Sequence, residues 1–219
     1  NTPKVLTDDV ADLALGLMIT LSRRINEAHN FILKKKWNKT PFDLTTSLTN
    51  KTVGIVGMGE IGKAFSKRVK SLSMKIVYYG PNKKKIKYKY FKNLKDMASF
   101  VDVMVVTCIG GSETRHLINR SILRVMKPSA IIVNVSRGSV INEVNLLDAL
   151  KKNLIAGAAL DVFEMEPKIN NKFLKLNNVL LSPHNGSATF DTRLRMANIS
   201  SQNISNYLYS KKLKNKIRY

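Results

Sequence analysis

Apolar positions repeat at two different periods along the chain, and the period changes near residue 51. Before that point Val10, Ala14, Leu17, Met18 and Leu21 recur at helical spacing, and the pattern continues to about Phe31. This predicts one long opening helix, capped by Thr7, with Asp8 and Asp9 where carboxylates meet the positive end of the helix dipole. Residues 37–50, with Pro41 and several threonines, read as an irregular connection. After Lys51, short apolar runs alternate with helix-period stretches. Strands are predicted at 52–56, 75–79, 103–107, 130–135, 156–160 and 179–182, and helices at 61–72, 92–99, 120–126, 143–152 and 189–209. Runs such as Val103-Met104-Val105-Val106 suit strands buried on both faces, and alternating β and α elements imply an α/β domain with a mainly parallel, doubly wound sheet.

The first predicted strand runs into Gly57-Met58-Gly59-Glu60-Ile61-Gly62, a G-x-G-x-x-G pattern placed between a strand and an apolar-periodic helix. In that context it reads as a Rossmann-type phosphate-binding turn. Gly57 permits the tight turn, Gly59 admits a pyrophosphate, Gly62 allows helix and strand to pack, and the amides around Glu60 and Ile61 point at the phosphates. Such folds usually place an acidic residue at the end of the second strand to hold the ribose 2′-hydroxyl. None stands between Glu60 and Asp96; the strand ends instead in Gly80-Pro81-Asn82-Lys83-Lys84-Lys85. Without a carboxylate to repel it, a 2′-phosphate can be met by Asn82 and Lys83. NADP(H) is therefore favoured, with NAD(H) retained as the alternative.

Three stretches follow predicted strands and should share the carboxyl edge of the sheet: 134–138 (Asn-Val-Ser-Arg-Gly), 160–167 (Leu-Asp-Val-Phe-Glu-Met-Glu-Pro) and 182–188 (Ser-Pro-His-Asn-Gly-Ser-Ala). They bring one arginine, a choice of carboxylates and one histidine towards the cofactor crevice, a set suited to reducing a keto acid. With these motifs, and with Glu113-Thr114-Arg115-His116-Leu117-Ile118 and Met126-Lys127-Pro128, the sequence strongly resembles the D-isomer-specific 2-hydroxyacid dehydrogenases, nearest their glyoxylate/hydroxypyruvate reductase branch. Asn185 departs from the apolar residue that family carries between His and Gly.

The resemblance implies roles. His184 would be the general acid towards the keto oxygen, Glu166 would hydrogen-bond His184 and fix its tautomer, and Arg137 would clamp the substrate carboxylate. Of the two carboxylates two residues apart, the match favours Glu166, before Pro167, over Glu164. Asp161 would accept from the nicotinamide amide; Thr107, Cys108, Val135, Gly80 and Gly186 would complete the cofactor wall. His29 and His116 read as surface or packing residues, and Cys108 as a small buried hydrophobe. The resemblance further implies that residues 1–188 form the nucleotide domain, including a dimerising first helix. Residues 189–219 would return to a substrate domain whose main segment precedes Asn1 in the family. A homodimer is expected, and turnover by this chain alone is expected to be poor.

Charge complicates this picture. Lys and Arg number 37 against 15 Asp and Glu, a formal net charge of +22. The basic residues are spread along the chain, and neither zinc-finger spacing nor an aromatic RNA-binding motif accompanies them, so no nucleic-acid partner is expected. The tail lysines Lys211, Lys212, Lys214 and Lys216 read as a solvated surface. One cysteine rules out a disulfide framework and fits a reducing, cytoplasmic setting. No apolar stretch reaches the ~20 residues that span a bilayer, so no membrane partner is expected. Alternative readings are a cofactor-sensing regulator of corepressor type or an inactive fragment.

Overall fold

The computed structural model describes residues 2–209 and Asn215; the tail lysines named above lie outside the described residues. The elements in chain order are α1 (Thr7–Arg23), α2 (Ile25–Leu33), β1 (Thr52–Val56), α3 (Glu60–Lys70), β2 (Lys75–Tyr79), β3 (Lys89–Phe91), α4 (Leu94–Phe100), β4 (Val103–Val106), α5 (Arg120–Leu123), β5 (Ile131–Asn134), α6 (Glu143–Lys151), β6 (Gly157–Leu160), β7 (Val179–Leu181) and α7 (Phe190–Leu208). The seven strands form one sheet in the order β3-β2-β1-β4-β5-β6-β7, and every pairing is parallel.

The continuous apolar runs are explained by burial on both faces. In β4, Val103 and Val105 join the core layer that holds Met18 and Phe65, whereas Met104 and Val106 join the layer that holds Met97 and Leu146. Helices α1 and α3 therefore cover one face, and α4, α5 and α6 the other. A strand facing apolar layers on both sides has no position for a polar residue, so alternation disappears from the sequence.

Two expectations are corrected. The opening helix does not run unbroken to Phe31: Arg24 takes a left-handed backbone (φ 51°) and separates α1 from α2. Its guanidinium bonds Glu27, three residues on, at 2.7 Å and Asp43, outside any helical repeat, at 3.2 Å. Thr7 is not the cap either; it lies within the first turn, and Leu6 occupies the cap position without a side-chain hydrogen bond. One strand, β3, was not expected. It is three residues long, lies at the sheet edge and is rich in lysine and aromatics.

Helix α1 packs on α3 through Val10, Ala14, Leu17 and Met18, and Arg68 of α3 ties it down by bonding Asp12 at 2.5 Å and Asp8 at 3.1 Å. Helix α7 is different. Among its described residues only Thr192 is buried, while Phe190, Ile204, Tyr207 and Leu208 are exposed. It is held at its first turn, where Thr189 donates to Asp9 at 2.5 Å and accepts from the Thr192 amide at 3.2 Å. Those bonds from Thr189 and Thr192, with charge from Arg195 and Arg68, outweigh burial and keep the Asp9 carboxyl below its ordinary range. No helix among the described residues is long and apolar enough to cross a membrane.

Candidate active site

The sheet order turns at β1, which pairs with β2 on one side and β4 on the other. In open α/β sheets ligands bind outside the carboxyl ends of the strands at such a switch point. There the glycine turn runs from β1 into α3. Gly57 has φ +99°, and a Cβ on it would stand 2.5 Å from the backbone of Cys108. Only glycine satisfies both the torsion and the space. The turn is fixed by the Gly57 amide donating to Tyr79 O at 2.9 Å and by the Thr107 hydroxyl donating to Gly57 O at 2.7 Å. Gly59, at the start of α3, faces open space, and no side chain caps the helix. An uncapped helix start with room above it is a cradle for the phosphates of a dinucleotide. Ile61 is half-buried, and the Glu60 side chain turns away to Lys63 at 3.2 Å.

The chain after β2 is also anchored. The fully buried Tyr78 accepts from the Lys84 amide at 2.7 Å, and Tyr90 donates to Gly80 O at 3.0 Å. Gly80 is buried, while Asn82 and Lys83 are exposed, and Lys83–Lys87 line a shallow groove. The two tyrosines that shape this basic loop carry no motif and were not read from the sequence.

After β5, Asn134 is buried and organises the next loop. Its Oδ1 accepts from the Ser136 amide at 3.1 Å and its Nδ2 donates to Arg137 O at 3.1 Å. Ser136 in turn donates through its hydroxyl to Cys108 O, which joins this loop to the one after β4. Val135 is buried and Arg137 exposed. Burial pushes the Cys108 thiol up from its ordinary value despite hydrogen bonding at Ser136, which fits a packing residue rather than a nucleophile.

After β6, Asp161 is buried and accepts three hydrogen bonds, all from the 182–186 turn. Its Oδ1 takes the Ser182 hydroxyl and the Asn185 amide, both at 2.6 Å, and its Oδ2 takes the Gly186 amide at 2.9 Å. This carboxylate thus shapes the turn on which His184 sits at φ 53°. His184 Nδ1 meets Glu166 Oε2 at 2.6 Å, and Glu166 Oε1 accepts from the Phe163 amide at 2.8 Å. Burial alone would raise the Glu166 carboxyl. The bonds from His184 and Phe163, with charge from His184 and Arg137, prevail and hold it below its ordinary value.

The competing carboxylate points elsewhere. Glu164 Oε1 meets His116 Nε2 at 2.5 Å. His116 is thus half-buried with both ring nitrogens hydrogen-bonded, while His29 is exposed. A cavity of about 530 Å³ lies at the opposite edge of the sheet, lined by Lys51, Asp102, Ser129 and Asn178 among others; it holds none of the expected site residues.

Residues 15–186 match the family model described as D-isomer specific 2-hydroxyacid dehydrogenase, NAD binding domain. The chain is 40% identical over 214 residues to glyoxylate/hydroxypyruvate reductase A of Arabidopsis thaliana, covering 97% of this chain and 68% of that protein. It is 42% identical over 217 residues to a glyoxylate reductase of Thermococcus litoralis, covering 93% of this chain and 65% of that one. Its structure superposes with a TM-score of 0.95, at 34% identity, on the NADPH-dependent glyoxylate/hydroxypyruvate reductase of Sinorhizobium meliloti solved with NADP and malonate, covering 99% of this chain and 69% of that one.

Proposed function

Because the chain belongs to the D-isomer-specific 2-hydroxyacid dehydrogenase family, we propose that it carries the cofactor-binding and acid–base half of an NAD(P)H-dependent reductase of small 2-keto acids, of the glyoxylate or hydroxypyruvate type. The observation that carries this reading is the His184–Glu166 pair at 2.6 Å on the same carboxyl edge of the sheet as an open glycine turn.

The cofactor, when bound, supplies the hydride, and the protein supplies orientation and the proton. The amides at the start of α3 receive the pyrophosphate, with Thr107 and Val135 along the wall. Glu166 accepts from His184 Nδ1–H and so orients the ring; in the imidazolium form Nε2–H passes its proton to the keto oxygen, and the neutral ring takes it back at Nε2 in the reverse direction. Arg137 holds the substrate carboxylate with its planar fork and adds positive charge where the alkoxide develops. Asp161 spends three acceptor positions on the turn that carries His184 and keeps one for the nicotinamide amide. The complete Arg137, Glu166 and His184 set favours catalysis over cofactor sensing.

NADP(H) is the favoured cofactor, since Asn82 and Lys83 replace the usual acidic residue in a loop held rigid by Tyr78 and Tyr90. The same reading makes α7 an element of a second, substrate-binding domain, which accounts for its exposed apolar side chains. It also gives a homodimer built on the α1–α2 region and a cytoplasmic setting. The test is a nicotinamide-fluorescence titration of NADPH against NADH, followed by oxidation of the reduced cofactor with glyoxylate and hydroxypyruvate. Tighter NADPH binding and turnover dependent on keto acid are expected. A failure to bind either cofactor would end the oxidoreductase reading, and tighter NADH binding would reverse the cofactor preference.

A further inference from the structure

His116 belongs to none of the roles just described, yet it touches two of the three loops that build the site. It lies in the segment after β4. Its backbone amide donates to Ser139 O at 2.8 Å, two residues beyond Arg137. Its Nδ1 faces Asn142 Nδ2 at 3.3 Å, and its Nε2 meets Glu164 at 2.5 Å, two residues before Glu166.

The ring's tautomer follows from its neighbours. Asn142 Oδ1 accepts from the Asn145 amide at 3.0 Å, so the other end of that amide, a donor only, is what faces His116 Nδ1. Nδ1 must then accept, the ring proton sits on Nε2, and Nε2–H donates to Glu164. The Glu164 amide is itself tied, donating to Glu143 at 2.8 Å. Behind this corner the Arg137 and Glu166 loops press directly together: a Cβ on Gly138 would stand 1.9 Å from the carbonyl carbon of Phe163. His116 also keeps a left-handed backbone at φ 51°, a conformation non-glycine residues hold only where their surroundings impose it.

We propose that His116 and Glu164 are positioning residues: their hydrogen bond, together with the bonds of His116 to Ser139 O and Asn142, locks the Glu166 loop to the Arg137 loop, so that the group that orients His184 and the group that grips the substrate move as one body. This rests on the catalytic reading above, deepens it, and requires no contact between His116 and substrate.

The test uses the full chain. Only three histidines are present, so long-range proton–nitrogen NMR resolves each imidazole. Wild type should show His116 protonated at Nε2 and a hydrogen-bonded Nδ1 proton on His184. His116→Ala should abolish or broaden that His184 proton signal, although His116 does not touch His184. His116→Gln, which retains a donor near the Nε2 position, should restore it. Glu164→Ala, which removes the same bond from the other side, should behave as His116→Ala and serves if that variant does not fold. In the keto-acid assay, kcat should fall about 10- to 100-fold for the alanine variants, the scale expected of small misplacements of reacting groups, with cofactor affinity unchanged. A folded alanine variant with an unaltered His184 signal overturns the proposal while leaving the reductase reading intact. A chain that shows the coupling but binds neither NADPH nor NADH overturns that reading and leaves the coupling intact.

Discussion

Glu164 and Glu166 stand two residues apart on one loop, each paired with a histidine, and the two pairs are built for opposite purposes. In the first, both ring nitrogens of His116 are engaged, one by Glu164 and one by Asn142. In the second, Glu166 takes only Nδ1 of His184, whose side chain is 45% exposed against 33% for His116. A histidine with both nitrogens satisfied is a structural tie. A histidine with one nitrogen oriented by a carboxylate and the other left without a protein partner among the described residues has the arrangement of a proton carrier, the role proposed for His184. Residue type is identical in the two pairs; what differs is how many partners the fold brings to the ring.

The comparison breaks first at His184. His184→Gln should lower kcat about 10³-fold through loss of the proton carrier, with cofactor affinity retained in the fluorescence titration. A smaller loss than that caused by His116→Ala would invert the roles assigned to the two pairs. Glu166→Gln comes next, at about 10²-fold in kcat, since the ring persists but its orienting charge is gone. It also carries a pH signature. Because the folded state holds the Glu166 carboxyl below the ordinary glutamate value of about 4.3, its contribution to stability is complete above that range. The contribution fades as pH falls through the depressed folded value. The difference between wild type and Glu166→Gln in denaturation should therefore be full above the ordinary glutamate range and shrink as pH falls below it, through the depressed folded value. Convergence on the alkaline side instead would contradict the direction assigned to Glu166.

The smallest effect sharpens the first pair. Asn142 caps α6 and also donates to His116 Nδ1. Asn142→Ala should cost about 1 kcal/mol in chemical denaturation for the lost cap. It should also release the tautomer of His116, visible as mixed Nδ1 and Nε2 protonation in the ring NMR spectrum. An unmixed spectrum would show that Glu164 alone sets that ring.

Much of this architecture was legible in the residue order, for identifiable reasons. The strands β1, β4, β5 and β6 were visible because burial on both faces enforces apolar runs, and β2 and β7, only partly buried, as short apolar runs. The phosphate turn was visible because Gly57 answers a local demand of torsion and space. Arg137 and His184 were marked by motifs directly after strands. The features that carry no motif depend on partners brought together only in the folded loops. The break at Arg24 answers to Asp43, nineteen residues away, and the edge strand β3 is set by pairing with β2 rather than by its own three residues. Asn134, Tyr78 and Tyr90 act through bonds to backbone atoms in folded loops, and such bonds leave no periodic trace in the sequence.

The order of amino acids by itself determined a parallel α/β sheet, a dinucleotide turn after its first strand and the three loops that bear Arg, carboxylate and His, because each answers to short-range sterics or to burial. The resemblance already favoured Glu166 as the partner of His184; only the tertiary structure gave Glu164 to His116 and decided which ring nitrogen each carboxylate meets. Glu164 and Glu166 are the same residue on the same loop, and the distinction arises from where the turns of residues 116 and 184 arrive in space, brought from 48 and 18 residues away.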